Sequence, residues 1–355
     1  MAGPVSADEE YTDAIRRDAV AGQIPPGGPM TSARVTALRL VSAAPDAPHP
    51  TARRVVEILS QEKPDGLGIA ALRRHYNLSR RQFLTELEPV ESVFHIHPAE
   101  PGVPRLTIIR PRNFRAGTRI PALVYLHGGG WSLGSLATYE PFCRQLANAC
   151  GMIVVWVEYR LAPEHPFPAA YEDTLAAWRW VQLHCHEIGA DPARIAIGGD
   201  SAGGNLAAAA ALACKREGGI MPWRQVLLYP CLDLSASLPS HRKLAEGYLL
   251  TASLYAWYRD NYLCGAHPDE PRLSPLFAED VAGLPPTLLL YAGFDPLRDE
   301  AAAYAMKLML AGVPIETLFF ADMIHGFLTM GGAIPEANAA IARIAETLAS
   351  FGDRL

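Results

Sequence analysis

Two hydrophobic periods alternate along this chain. Residues 122–126 and 153–157 are unbroken apolar runs, the pattern of strands buried on both faces of a parallel sheet. Runs at 194–197, 225–229, 287–291 and 315–320 read the same way. Between and after them, apolar residues recur at helical spacing over 139–149, 171–188, 202–216, 300–310 and 336–351. Residues 90–97 and 105–110 alternate apolar with polar and predict a hairpin ahead of the series. Strands alternating with helices predict an α/β fold with a mostly parallel central sheet and helices on both faces.

Two regions stand outside this alternation. Before residue 90, short helices are predicted at 52–60, 69–76 and 79–87, the last with Ser79 as its N-cap. Ahead of these the chain is rich in proline, glycine, alanine and charge. Pro25-Pro26-Gly27-Gly28-Pro29 is a cluster that no helix or strand crosses, and 34–41 reads as a short helical or extended piece. After Pro230, residues 231–284 carry one clear helix, 253–263, among turns and prolines. An insertion following the carboxyl end of a strand lies where ligands bind in open α/β sheets, so a lid is predicted there. The expected organisation is an N-terminal segment with cap helices over 1–89, a catalytic core over 90–230 and 285–355, and a cap or lid over 231–284.

Composition narrows the function without choosing it. The chain has 355 residues, 50% hydrophobic and 19% charged, enough for one large α/β domain or two smaller ones. A net charge of −6 offers no basic field for nucleic acid. The six cysteines include no C-x-x-C pair, and four lie in apolar or helical contexts that fit buried thiols. Residues 1–18 are polar and acidic, with no apolar signal-peptide core, and no apolar run approaches transmembrane length. The expectation is a soluble, cytoplasmic protein without stable membrane insertion.

The chemistry gathers at predicted strand ends. Gly199-Asp200-Ser201-Ala202-Gly203 lies between a short strand and an alanine-rich helix and fits the G-x-S-x-G nucleophile elbow. The helix N-terminus behind Ser201 favours negative charge there. Strand 122–126 runs into His127-Gly128-Gly129-Gly130-Trp131, where glycines let backbone N–H donors approach a bound group. Strand 287–291 runs toward Asp295-Pro296, and strand 315–320 toward His325-Gly326. The chain order Ser201, Asp295, His325 is that of an α/β-hydrolase triad, with Asp322 a weaker rival for the acid.

With these residues the chain resembles the hormone-sensitive-lipase-like carboxylesterases, the bacterial group often called family IV, of the α/β-hydrolase fold. The matching motifs are His127 to Trp131, Gly199-Asp-Ser-Ala-Gly-Gly-Asn205, Asp295-Pro-Leu-Arg-Asp-Glu300 and His325-Gly-Phe327. Glu158-Tyr-Arg-Leu-Ala-Pro-Glu-His-Pro-Phe-Pro-Ala-Ala170 is also characteristic of the group. The resemblance covers about residues 104–351, and the long segment before it departs from the pattern. It implies Ser201 as nucleophile, His325 as base and Asp295 as the orienting acid. It implies Gly129, Gly130 and Ala202 as oxyanion donors, and a cap built from the N-terminal helices and the 231–284 insertion. The implied reaction is hydrolysis of short- to medium-chain carboxylic esters through an acyl-enzyme, on a small-molecule ester, with no cofactor or metal. Dimerisation is common in the group, so a homodimer is a further expectation.

Other readings stay open at this level. Amide hydrolysis and acyl transfer would use the same acyl-enzyme, and a hydrolase-fold receptor would need no turnover, though an intact Ser201, Asp295 and His325 argues against it. His95 and His97 share one strand face but lack a third metal ligand, and His184 and His186 diverge on a helix. Glu158, Arg160 and Glu164 are expected to brace the glycine loop as ion pairs, and Asp200 to serve as a structural hydrogen-bond partner. Asp299 and Glu300 read as first-turn acids of the next helix. Tyr248, Leu249, Leu250, Tyr255, Trp257 and Tyr258 supply apolar lid surface.

Overall fold

The structure is a computed structural model that describes residues 45–62 and 66–350. The Pro25 to Pro29 cluster and the 34–41 piece lie outside the described residues. Strands β1 (Ser92–Ile96), β2 (Leu106–Arg110), β3 (Ile120–Leu126), β4 (Ile153–Val157), β5 (Ala190–Asp200), β6 (Gln225–Leu228), β7 (Thr287–Phe294) and β8 (Ile315–Ile324) form one sheet. Their order is β1-β2-β4-β3-β5-β6-β7-β8. The β1–β2 and β2–β4 pairs are antiparallel, and every pair from β4 to β8 is parallel. The α/β expectation holds.

Apolar runs are unbroken in the central strands because both faces are covered. On β3, Ala122, Val124 and Leu126 enter one core while Leu123 and Tyr125 enter the other. On β4, Ile153, Val155 and Val157 likewise oppose Val154 and Trp156. Helices α4 (Ala169–Ile188), α5 (Ala202–Glu217) and α8 (Arg298–Leu310) close the first face. Helices α1 (Pro50–Ser60), α3 (Leu136–Cys150) and α9 (Glu336–Ser350) close the second. Alanine dominates α5 because small side chains let it lie close beneath β5, and Ala207 to Ala211 are buried.

Two details differ from the sequence reading. The two short helices expected around residues 69–87 are one helix, α2 (Ile69–Arg81), followed by irregular chain. Ser79 is not a cap: its hydroxyl donates to the Tyr76 carbonyl inside that helix, and no breaker separates the two halves. The 231–284 insertion holds a second, five-residue helix, α6 (Pro239–Lys243), besides α7 (Ala252–Leu263) and a 3-10 turn at Pro275–Phe277. Five residues are too few to show a helical period.

Candidate active site

The site is assembled from the ends of parallel strands. β5 ends at Asp200, and Ser201 follows at φ 55° and ψ −118°, a strained left-handed position for a residue with a side chain. Its amide donates to the Leu228 carbonyl at 2.9 Å, and its carbonyl accepts the Cys231 amide at 3.1 Å. The sharp turn requires small neighbours. A Cβ at Gly203 would lie 1.9 Å from the Leu126 carbonyl oxygen, and one at Gly199 would lie 2.2 Å from the same atom. Both glycines therefore let α5 and β5 press against β3.

At the end of β3 the glycine loop is held from two sides. Asp200 Oδ1 accepts the Gly128 amide at 2.8 Å and the Tyr125 hydroxyl at 2.7 Å, and its Oδ2 accepts the Tyr139 hydroxyl at 2.9 Å. Burial raises the Asp200 carboxyl above the usual range, while those two tyrosines and the Gly128 amide pull it back. His127 is driven down to about 4 by burial, outweighing its bond to the Gly128 carbonyl, so its ring is neutral. Tyr159 donates to the His127 carbonyl at 2.6 Å and stacks on its ring at 4.3 Å. Gly129 (φ +107°) and Gly130 (φ +58°) then turn the backbone, and their amides, like that of Ala202, meet no acceptor among the described residues.

β7 and β8 carry the remaining groups. Their close approach is set by Gly293, where a Cβ would lie 1.9 Å from the Ala321 carbonyl. Beyond β8, His325 places Nε2 2.9 Å from Ser201 Oγ and Nδ1 2.7 Å from Asp295 Oδ2. The other oxygen of Asp295 accepts the Leu297 amide at 2.8 Å, and Asp295 is fully buried. The rival Asp322 lies within β8, with its carbonyl on the His49 amide. The imidazole thus has a carboxylate on one nitrogen and a hydroxyl on the other. Gly129, Gly130, Ser201, Ala202 and His325 line one small cavity of about 70 Å³, and Asp295 stands behind His325. Leu249, Leu250, Leu254, Tyr255 and Tyr258 from the 231–284 insertion form much of the opposite wall.

The remaining singled-out residues take structural places. Glu158 pairs with Arg105, Arg160 with Asp173 and Glu164 with Arg73, so the expected bracing is present. His95 bonds Thr107, and His184 bonds Glu187 and Glu100. Among the described residues, no cluster of three or more His, Cys, Asp or Glu could hold a metal, and no helix is long and apolar enough to cross a membrane. All six cysteines are free, four of them buried. Asp299 and Glu300 are first-turn acids of α8, but they are buried and do more than face a helix dipole. Glu300 accepts the Leu232 amide at 2.6 Å and pairs with His241 at 2.7 Å, and Asp299 accepts the Ser240 amide at 2.8 Å. Asn205 donates to the carbonyls of Cys231 and Leu273. These bonds tie the insertion to the floor of the site, and no motif spacing announced them.

The strand order, and a site made of the loops after β3, β5, β7 and β8, define an α/β-hydrolase fold. Residues 123–329 match the family described by that fold. The carboxylic ester hydrolase LipN of Mycobacterium tuberculosis is 43% identical over 66% of each chain. Esterase LipI of the same organism is 39% identical over 78% of this chain and 86% of its own length. A crystal structure of an α/β-hydrolase enzyme from the Lake Arreo metagenome superposes with a TM-score of 0.82 at 36% identity, covering 86% of this chain and 98% of that one. The chain belongs to the hormone-sensitive-lipase-like, family IV esterases of the α/β-hydrolase superfamily.

Proposed function

We propose that this protein is a serine carboxylesterase, with Ser201 as nucleophile, His325 as general base and Asp295 as the group that orients it. The observation that carries the reading is the continuous hydrogen-bonded series from Ser201 Oγ through His325 to Asp295. With its Nδ1–H donated to Asp295, the imidazole presents an unprotonated Nε2 to the serine hydroxyl. That nitrogen takes the proton as Oγ attacks the ester carbonyl, and Asp295 stabilises the imidazolium that forms. The carbonyl oxygen, now an oxyanion, accepts from the amides of Gly129, Gly130 and Ala202. Losing one such donor typically costs about 2.7–4 kcal/mol of barrier. The imidazolium then protonates the departing alcohol, and water, activated by the same histidine, cleaves the acyl-enzyme.

The cavity size favours short acyl groups. An apolar cavity of about 150 Å³ holds benzene, and this one is about 70 Å³. Acetyl to butyryl esters fit the reading, and longer chains require the cap wall to move. We further propose that the 231–284 insertion and α2 together form that cap. A cytoplasmic location and a homodimer are kept as proposals, the second testable by sedimentation.

Hydrolysis of p-nitrophenyl esters of rising chain length, by wild type and Ser201→Ala, tests the function. Turnover should be highest on the shortest esters and absent in the variant. Wild-type rates no higher than those of the variant at every chain length would reject it.

A further inference from the structure

Arg80, on the last turn of α2, lines the same cavity as Ser201 and His325. A cation at a helix C-terminus has an ordinary explanation, since it complements the helix dipole. Arg81, the next residue, is exposed and serves that purpose from solvent. Arg80 turns inward instead. Its guanidinium carbon lies 5.0 Å from the centre of the Tyr76 ring, and Nη1 is 3.6 Å from Met330 Sδ. Its Nε is buried without a hydrogen-bond partner, and no carboxylate pairs with it among the described residues. A thioether and a ring face are weak partners for a group with five N–H donors.

The other charged groups on this wall are already engaged. Both oxygens of Asp200 accept buried donors, and His325 bridges Ser201 and Asp295. The Arg80 charge reaches the substrate side of the wall: it lowers the phenol of Tyr258, which burial pushes upward. Tyr258 itself packs on the glycine loop, its ring 2.1 Å from where a Gly130 Cβ would stand. Arg80, Tyr76, Leu249, Leu254 and Tyr258 also line a neighbouring cavity of about 320 Å³, so Arg80 stands on the wall common to both. A wholly apolar substrate would leave these guanidinium donors unmatched in a low-dielectric pocket, whereas a carboxylate would match their fork geometry.

Resting on the esterase reading above, we propose that the substrate is a short ester carrying a carboxylate, which Arg80 holds while the ester carbonyl sits at Ser201. The small cavity requires that only a short spacer separate the two groups.

Matched pairs of esters test this. Monomethyl succinate against methyl succinamate places the carboxylate or its amide isostere on the acyl half. Acetoxyacetate against O-acetylglycolamide does the same on the alcohol half. Each kcat/KM is followed by base uptake and divided by the compound's own alkaline hydrolysis rate. In wild type, one pair should show a preference for carboxylate over amide of about 10- to 100-fold, the worth of one charged hydrogen-bonded contact. Arg80→Gln should bring that ratio close to unity, and Arg80→Lys should keep part of it. Because the preference is a ratio within one variant, a general loss of activity or stability does not mimic it. Equal or better turnover of the amides in both pairs by wild type overturns the proposal, as does a ratio that survives Arg80→Gln. Phenyl acetate is assayed alongside: if wild type leaves it intact, the esterase reading itself has failed and this inference falls with it.

Discussion

Asp200 Oδ1 and the Gly128 amide, 2.8 Å apart, latch together the residue preceding Ser201 and the residue preceding Gly129. The bond spans the parallel β3–β5 pair, so the attacking oxygen and the oxyanion donors share one rigid support. Asp200→Ala leaves the Tyr125 and Tyr139 hydroxyls and the Gly128 amide buried without this acceptor. At about 1–3 kcal/mol for each stranded group, stability should fall by roughly 3 kcal/mol or more. Asp200→Asn retains an acceptor and should fold. Its misplaced loop should lower kcat on p-nitrophenyl acetate by about 10-fold or more, one donor being worth that much. Urea midpoints and initial rates measure the two effects.

Gly203 sets how closely α5 approaches β3. Ala at this position would place a methyl 1.9 Å from a backbone oxygen, where nothing flexible can yield. Gly203→Ala should cost about 3 kcal/mol or more, or fail to yield soluble protein. Gly219→Ala, whose nearest atoms lie at 3.8 Å, should stay within about 0.5 kcal/mol of wild type. Equal stabilities for the two variants would contradict the packing described for the elbow.

Two buried groups give opposing pH dependences. Burial pushes Glu300 up to about 7, above the ordinary 4.5, despite the His241 pair and the Leu232 amide. The folded protein therefore binds this proton more tightly than the unfolded chain, and the stability it contributes is lost as pH rises toward 7. His241, although burial pulls it down, is raised overall by its bond to Glu300 and by the charges of Glu300, Asp233 and Asp295, and has the same sign. His127, depressed to about 4, acts oppositely: its contribution is present above 6.5 and is lost as pH falls toward 4. Glu300→Gln removes the first effect and leaves the last. Between about pH 7.5 and about pH 5, its Tm should fall more steeply than that of wild type. Parallel Tm profiles would show that the pair does not titrate as described.

Tyr258 closes the cavity against Gly130. Tyr258→Ala should open it toward the neighbouring cavity and shift preference to longer acyl chains. The octanoate-to-acetate ratio of kcat/KM should rise by about 10-fold or more, as expected when one large side chain is traded for acyl carbons at about 0.8 kcal/mol per buried CH₂. An unchanged ratio would place the acyl group elsewhere.

Strand periodicity and motif order made the sheet, the elbow and the glycine loop legible in the sequence, because unbroken apolar runs occur where both faces are covered. The choice between Asp295 and Asp322 was less secure, since both lie close to a strand end. Only the geometry shows His325 Nδ1 on Asp295. The burial of Asp299 and Glu300 was hidden, because a first-turn acid needs no partner to make sense and His241 lies 59 residues away. Arg80 was equally silent: at a helix end an arginine reads as capping until the cavity beside it is seen.

The central claim is that Ser201 is the nucleophile of an ester hydrolase. Labelling with a fluorophosphonate, with the site mapped by peptide mass spectrometry and residual hydrolysis of p-nitrophenyl acetate followed in parallel, tests it most directly. A single label on Ser201, with activity lost in proportion to labelling, is the expected result. A label on any other residue, or hydrolysis that survives complete labelling of Ser201, would contradict it.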